Sequence, residues 1–438
     1  MIKVCKFGGT SMADGITMLR VKSIIESDPA RRYVVVSAPG KRFGGDIKVT
    51  DLLYETYDNV AVNGETGAAF EKICERFRGI VSELKLDMDI DAILAETGEA
   101  IVKEASPDFC ASRGEYLSGR VMAELLGISF IDARDVVKFG PDGKLDNKRT
   151  YALLAEALKG KKRALVTGFY GEDANGRVKT FSRGGSDISG AIVARAAGAD
   201  LYENWTDVSG FLACDPRIVE NPVPIRSLSY KELRELSYMG ANVLHSESIF
   251  PVREVDIPIR IKNTFRPEDE GTEILPTSRY TYSGRRVTGI AGKKNFTVIF
   301  LEKSLMNEEI GFTYRTLAVF MKHGISFEHI PTGIDTMSFV IDSAELKGGL
   351  LEEMCDEIRE AVNPDSLRVI NDIALIAVVG HGMTRSVGVS ARLFEAIARA
   401  GVNVRMIDQG SSELNIIVGV DNENYERTLK AVYEEFFD

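Results

Sequence analysis

Three short polar segments carry residue types that suit the binding of a phosphorylated ligand. In the first, KFGGTS, Lys6 stands before Gly8 and Gly9, between an apolar run and a segment with helical spacing. Glycines in such a turn let backbone N–H groups approach a polyphosphate, and a helix N-terminus adds positive potential. Because the lysine precedes the glycines, the order differs from the GxxxxGK[ST] of P-loop enzymes. The segment predicts a phosphate cradle that Lys6 approaches from the strand side.

The second segment, FSRGGSD, follows another apolar run and opens a helical pattern. Arg183 offers a planar fork suited to bidentate binding of a carboxylate. Gly184 and Gly185 would let the substrate approach the backbone. Asp187, at the helix start, is either an N-cap or the group that holds catalytic cations in place.

The third segment, WTDVSG, is followed by DPR. Thr206 and Asp207 could bind a nucleotide, and Arg217 could reach a β-phosphate. Each of the three segments alone also fits an ordinary turn with solvated side chains. Together they predict an active site, since all three lie at strand ends, where ligands collect in parallel sheets.

The elements that must position these segments alternate between apolar strands and helical patterns. This alternation predicts an α/β sandwich with a largely parallel central sheet. A long charged, helical stretch over residues 50–126 is interpreted as a lid or subdomain. The predicted strands cover residues 2–7, 33–38, 164–170, 201–205 and 257–262.

The last third of the chain repeats itself. Gly311 and Gly324 recur as Gly388 and Gly401, each 77 residues later, with apolar positions recurring at the same offset. Each copy is typical of a strand, a glycine turn, an amphipathic helix and a strand pair. The predicted organisation is a domain over 1–285, with β-α-β-β units over 290–368 and 370–438.

Composition excludes several classes of protein. The 438 residues carry a net charge of −11 without a sustained basic stripe, which disfavours nucleic-acid binding. Five scattered cysteines without a CxxC pair indicate neither a disulfide framework nor a zinc site. No apolar run approaches the roughly 20 residues that span a bilayer. The N-terminus lacks a secretory pattern, so we expect a cytoplasmic protein with no membrane role.

The segments KFGGTS, TDLL, SRGE, SRGGSD and WTDV with DPR together resemble the aspartokinases of the amino-acid kinase family. The resemblance covers nearly the whole chain, including paired ACT domains at the C-terminal end. It implies an amino-acid kinase sandwich followed by two ACT-like, ferredoxin-type units. It also implies transfer of a phosphoryl group from ATP, which carries Mg²⁺, to the side-chain carboxylate of L-aspartate. The products would be 4-phospho-L-aspartate and ADP.

The resemblance also implies roles for residues, with Lys6, Asp187 and Arg183 as the catalytic groups and no metal ligand in the chain itself. The expected ATP contacts are Lys6, Gly8, Gly9, Thr10, Thr206, Asp207 and Arg217. The expected aspartate contacts are Thr50, Glu115, Arg183, Gly184, Gly185 and Ser186. Within that set, Arg183 would bind the α-carboxylate and Glu115 would lie near the ammonium group.

Two positions depart from the family pattern. Asn242 stands where many aspartokinases have a lysine in GAKVLH, so one cation near the nucleotide phosphates is missing. Leu212 stands where the family often has a nucleotide-contacting tyrosine. These departures keep open the alternative of a catalytically silent amino-acid sensor with a kinase fold. A separate alternative is another amino-acid kinase, such as a glutamate or nucleotide-monophosphate kinase.

The ACT resemblance implies regulation by an amino acid, lysine first and threonine, alone or with lysine, second. The expected effector contacts are Gly311, Phe312, Thr313 and Glu328. Pairing of ACT units between subunits would cover sheet edges, so we expect a homodimer or higher oligomer. The implied pathway role is the first committed step towards lysine, threonine and methionine.

Overall fold

The computed structural model describes residues 1–182, 184–241, 243–244, 246–280 and 284–437, without the side chains of residues 246 and 247. The chain packs as two compact units. The first consists of Met1–Phe211, Arg226–Tyr230 and Asn242–Tyr280, and the second of Leu212–Ile225, Lys231–Ala241 and Thr281–Asp438. The predicted functional division into 1–285, 290–368 and 370–438 stays a prediction.

The first unit is built on a mostly parallel sheet. Its strands are β1 (Lys3–Phe7), β2 (Arg31–Val36), β3 (Ser129–Ile131), β4 (Ala164–Thr167), β5 (Tyr170–Glu172), β6 (Val178–Thr180), β7 (Leu201–Thr206), β8 (Ser227–Ser229), β9 (Ile259–Asn263) and β10 (Thr272–Leu275). In the described part of this unit, eight of them form one sheet in the order β3-β4-β2-β1-β7-β9-β10-β8. Only the β9–β10 pairing within that sheet is antiparallel. The β5 and β6 strands form a separate antiparallel pair.

The first unit also contains helices, named here in chain order. They are α1 (Gly15–Glu26), α2 (Val49–Asn63), α3 (Gly67–Leu84), α4 (Ile90–Glu104), α5 (Pro107–Leu126), α6 (Ala133–Val136), α7 (Asn147–Leu158), α8 (Gly185–Ala196) and α10 (Phe250–Arg253), while most of α9 (Tyr230–Tyr238) belongs to the second unit. The central strands are apolar and buried along most of their length, as strands with helices on both faces must be. The predicted α/β sandwich is confirmed.

Helix α5 packs closely against the sheet because glycines line its inner face. A Cβ on Gly119 would come 2.9 Å from a Thr167 side-chain carbon, and one on Gly114 would come 2.6 Å from the Cβ of Ala38. These contacts bring α5 against β4 and against the segment that follows β2. Helices α2 to α5 fill the stretch predicted to be helical, and a lid role for it remains a prediction.

The second unit contains an antiparallel sheet in the order β12-β11-β13-β15-β14. Its strands are β11 (Gly289–Glu302), β12 (Thr336–Asp342), β13 (Ser366–Val379), β14 (Met406–Asp408) and β15 (Asn415–Asp421). Its helices, besides most of α9, are α11 (Phe312–His323), α12 (Leu350–Val362), α13 (Val389–Arg399) and α14 (Tyr425–Phe437). Strands β11 and β13, and helices α11 and α13, begin 77 residues apart, which confirms the repeat.

The two copies are joined more closely than a tandem of separate units. Strands β11 and β13 each have 14 residues and pair along most of their length, so strands of both copies share one sheet. The pairing shifts register near Asn295, and Asn295 and Asp372 adopt positive φ angles of 71° and 59°. Each copy also ends in a helix that the predicted β-α-β-β pattern did not include.

No described helix is both long and apolar enough to cross a bilayer.

Candidate active site

Lys6 lies at the carboxyl end of β1, and its ammonium group is paired with a carboxylate group. It is only 7% exposed, and its Nζ lies 2.6 Å from Oδ1 of Asp187. The Nδ2 of Asn204, on the neighbouring strand β7, donates to the same oxygen over 2.9 Å. Parallel pairing of β1 with β7 sets Lys6 opposite Asn204. The carboxylate of Asp187 therefore fixes the lysine ammonium group at this edge of the sheet.

Asp187 is therefore not the helix cap. The N-cap of α8 is Gly184, whose φ of 70° lies in the left-handed region that favours glycine. Asp187 stands in the first turn of α8, where a negative charge also suits the helix dipole. Of its two predicted roles, the structure supports the holding of a cation.

The Gly8–Gly9 turn is formed by contacts of its backbone with both neighbouring strand ends. The Gly8 N–H donates to the Trp205 carbonyl over 3.0 Å, and the Gly9 carbonyl accepts from the Gly40 N–H over 2.8 Å. Residues Gly9–Met12, which include Thr10, then form one turn of 3₁₀ helix. This strand, glycine turn and helix order agrees with the predicted phosphate cradle.

The second glycine turn packs against a strained residue. Phe169, just after β4, has a φ of 77°, which is unusual for a bulky side chain. Its N–H donates to Oγ of Ser189 over 2.9 Å. A Cβ on Gly185 would clash with the Phe169 ring, so glycine is required there. Ser186 follows at the start of α8, while the predicted Arg183 lies outside the described residues.

Glu115 is a buried carboxyl group on α5. It is 4% exposed, and its Oε2 atom has no hydrogen-bond partner among the described residues. Burial raises the pKa of Glu115 to about 8, although the Ala38 backbone and the charges of Lys6 and Arg113 act in the opposite direction. An unpartnered buried carboxyl oxygen is rare unless a ligand satisfies it, so Glu115 is a strong candidate for contact with a cationic group.

The remaining predicted site residues differ in their surroundings. Thr50 is half-buried in the first turn of α2. Thr206 and Asp207 follow β7, where the Thr206 hydroxyl donates to Asp207 Oδ1 over 3.2 Å. Arg217 belongs to the second unit, with a side chain that is 83% exposed and paired with Asp215 at 2.6 Å. The structure brings Lys6 and Asp187 into contact within the first unit, whereas Arg217 belongs to the second unit.

Comparisons with known proteins agree with this architecture. A profile of the amino acid kinase family matches residues 1–263, and an ACT domain profile matches residues 376–436. Aspartokinase 3 of Bacillus subtilis is 37% identical over all of this chain and 99% of its own length. The chain belongs to the aspartokinases.

Solved structures of other aspartokinases match over the whole chain. The Clostridium acetobutylicum aspartate kinase is 49% identical with a TM-score of 0.95, covering 99% of this chain and 100% of its own. Escherichia coli aspartokinase III, in an R-state complex with aspartate and ADP, is 26% identical with a TM-score of 0.80 at full coverage of both chains. This aspartokinase is therefore an aspartate kinase, and neither another amino-acid kinase nor a catalytically silent sensor is favoured. Asn242 itself lies outside the described residues, and Leu212 belongs to the second unit, where it bridges Pro224.

The predicted effector residues of this aspartokinase fall into two groups. Gly311, with a φ of 85°, caps α11, and Thr313 is exposed in its first turn. Phe312, the first residue of α11, is only 2% exposed and its side chain packs in the core, so a contact of this residue with an effector stays a prediction. The fourth predicted effector residue, Glu328, forms a hydrogen bond with the side chain of Tyr238 on α9. Burial is the larger cause, and this hydrogen bond the next, of a raised pKa for the Tyr238 hydroxyl group.

Three features of the site were not predicted from sequence. Asn204 is a polar residue inside the buried strand LYENWT, and this contrast is the signal that could have revealed it. Gly40 follows a strand in a Pro-Gly pair, and its contact with Gly9 depends on the fold. The positive φ of Phe169 has no signal in the sequence.

Proposed function

We propose that this aspartokinase transfers the γ-phosphoryl group of ATP to the side-chain carboxylate of L-aspartate. The products are 4-phospho-L-aspartate and ADP, and the reaction opens the synthesis of lysine, threonine and methionine. The observation that carries this proposal is the Lys6–Asp187–Asn204 cluster beside the Gly8–Gly9 turn. It presents a fixed ammonium group beside backbone N–H groups.

The chemistry requires charge stabilisation and alignment rather than a general base. The aspartate side chain has a reference pKa of about 3.9, so at neutral pH it is already a nucleophilic carboxylate. Lys6 and the backbone N–H groups of the glycine turn, other than that of Gly8, which donates to the Trp205 carbonyl, stabilise the charge on the transferring phosphoryl group. Mg²⁺, carried by the nucleotide, neutralises further phosphate charge. Because Asp187 and Asn204 hold Lys6 in place before substrate binds, little reorganisation is needed during the reaction.

Aspartate is recognised at both of its charged ends. The Oε2 atom of Glu115, which has no hydrogen-bond partner in the described part of the chain, is the proposed partner of the substrate ammonium group. Arg183 is the proposed partner of the α-carboxylate, by the resemblance alone. The residues proposed to line the rest of the aspartate site are Thr50, Gly184, Gly185 and Ser186.

The nucleotide contacts proposed after β7 are Thr206 and Asp207. Arg217 remains a prediction from the resemblance, because its guanidinium group pairs with Asp215 in this structure. Escherichia coli aspartokinase III has also been solved in a T-state complex with lysine and aspartate, at 27% identity and a TM-score of 0.76. We propose lysine as the effector here, with threonine second, and ACT pairing in a homodimer or higher oligomer.

ADP release from Mg·ATP tests this function. The purified chain is incubated with L-aspartate, with L-glutamate or without an acceptor, and each reaction is repeated with lysine or threonine. We expect release that depends on aspartate and that lysine inhibits. Equal release with glutamate, or release that needs no acceptor, would contradict the proposed substrate. Full activity at saturating lysine and threonine would contradict the proposed regulation only.

A further inference from the structure

A loop of residues 40–48, between β2 and α2, lies against the glycine turn. The Gly40 N–H donates to the Gly9 carbonyl over 2.8 Å. A Cβ on Gly40 would come 2.7 Å from the carbonyl carbon of Gly9, so the two backbones are in direct contact. The loop ends at Lys48, the N-cap of α2, two residues before Thr50. A side chain that holds this loop in place therefore also holds the backbone next to the proposed phosphate turn and next to Thr50, a proposed aspartate contact.

Arg76, on α3, is the residue that fixes the loop. It is 7% exposed, and its guanidinium group donates to the carbonyls of Gly40 and Ile47 over 3.1 Å and 3.2 Å. It also donates to Asp46 Oδ2 over 2.8 Å. One planar cation thus binds both ends of the loop and a carboxylate between them. Lysine lacks the geometry to reach all three acceptors at once.

Within the loop, Asp46 forms a second ion pair with Arg42. Both carboxylate oxygens take part, at 2.9 Å from Nε and 3.0 Å from Nη2 of Arg42. The apolar residue Phe43 is 63% exposed, so burial of its ring does not hold the loop. Charge pairing around Asp46 therefore holds the loop together with backbone hydrogen bonds, which run from the Asp46 N–H to the Phe43 carbonyl and from the Val49 N–H to the Pro39 carbonyl, each over 3.1 Å.

The cations near the glycine turn are not equally available to a ligand. Lys6 is paired with Asp187, and Arg42 and Arg76 share Asp46. Lys41 follows Gly40 directly, is exposed, and forms no ion pair in the part of the chain that the structure describes. An ammonium group on a flexible stem is a suitable point charge for phosphate.

We propose that Lys41 binds the polyphosphate of the nucleotide, and that Arg76 positions it by holding loop 40–48. This inference rests on the proposed function, because it assumes that the Gly8–Gly9 turn binds the phosphates. Lys41 would be a substrate-contacting residue, whereas Arg76 would act only through the loop.

Nucleotide binding tests the role of Lys41. The full-length Lys41→Ala variant is titrated calorimetrically with a non-hydrolysable ATP analogue and with AMP, both with Mg²⁺. We expect the affinity for the triphosphate to fall about tenfold, the effect of losing one charged hydrogen bond, and the affinity for AMP to be unchanged. Lys72→Ala, which removes the same charge one turn before Arg76, is the matched control and should bind both ligands normally.

The role of Arg76 is tested by non-additivity. Arg76→Lys keeps the charge but loses part of the bonding, so its triphosphate affinity should fall as in Lys41→Ala, and the double variant should be no weaker than either. If Arg76→Lys fails to fold, Asp46→Asn takes its place in the same cycle. Additive losses in the double variant would refute the positioning role.

A Lys6→Ala titration separates the two levels of inference. If Lys6→Ala weakens triphosphate binding and Lys41→Ala does not, the inference about the loop is wrong and the phosphate turn stands. If neither variant weakens it, the proposed phosphate site is itself wrong, and the inference about Lys41 is refuted with it.

Discussion

Aspartate binding should depend on pH through Glu115. Burial raises the pKa of this carboxyl group to about 8, so it is mostly protonated at neutral pH in the free enzyme. A protonated carboxyl group cannot form an ion pair with the substrate ammonium group. Binding of aspartate should therefore draw a proton off Glu115 and release it to solvent.

The size of the effect follows from the pKa. Below the pKa, each pH unit lowers the fraction of ionised Glu115 about tenfold. The apparent dissociation constant of aspartate should then be about tenfold above its limiting value at pH 7, and about a hundredfold above it at pH 6. Glu115→Gln should bind aspartate weakly at every pH, without this slope.

Calorimetry in buffers of different ionisation enthalpy measures both quantities. We expect nearly one proton to be released per aspartate bound at pH 7, and little release above pH 9. Glu115→Gln should release none. An aspartate affinity that is constant between pH 6 and 8, or an equal slope in Glu115→Gln, would refute the assignment of Glu115 to the ammonium group.

The same pKa shift affects stability with a definite sign. Between the unfolded value of about 4.3 and the folded value of about 8, the folded state holds a proton that the unfolded state has lost. The free energy of unfolding should therefore fall as pH rises through this window, by roughly 1.4 kcal/mol per unit from this one group. Glu115→Gln should be more stable than the wild type at pH 8 and similar to it at pH 5, as urea denaturation would show.

Other substitutions test other parts of the site. Lys6→Ala should lower kcat by about 10²- to 10³-fold in the ADP release assay, and an unchanged kcat would remove Lys6 from the mechanism. Gly185→Ala should lower the free energy of unfolding by about 1–3 kcal/mol through its clash with a neighbouring ring, whereas Gly79→Ala, a helical site with open space, should not be destabilising in thermal denaturation. Tyr238→Phe removes the hydroxyl group bonded to Glu328, so it should raise the lysine concentration needed for half inhibition without altering activity in the absence of effector; an unchanged value would contradict a role for Glu328 in sensing.

Much of the fold could be predicted because it follows local rules. Apolar runs of β-branched residues predicted the central parallel strands, and the 77-residue offset predicted the repeat. The merged sheet of the second unit was not predicted, because the register shift near Asn295 depends on how the two long strands pair. Helices α12 and α14, which close the two repeats, are not part of the predicted β-α-β-β pattern, because that pattern ends at its strand pair.

The candidate site was predictable where the chain itself joins strand, glycine and helix. Lys6 was expected at a strand end and Asp187 at a helix start, and the structure places Nζ of Lys6 2.6 Å from Oδ1 of Asp187. Asn204 was not expected, since its partnership depends on which strand lies beside β1. The burial of Glu115 depends on the glycine contacts of α5, which no motif records.

The identity of the phosphorylated group tests the proposed reaction most directly. The enzyme is incubated with Mg·ATP, L-aspartate and hydroxylamine, which converts an acyl phosphate into a stable hydroxamate that mass spectrometry can locate. We expect aspartate β-hydroxamate, formed in step with ADP and about 10²- to 10³-fold more slowly in Lys6→Ala. Hydroxamate on the α-carboxylate, or ADP release without any hydroxamate, would contradict it.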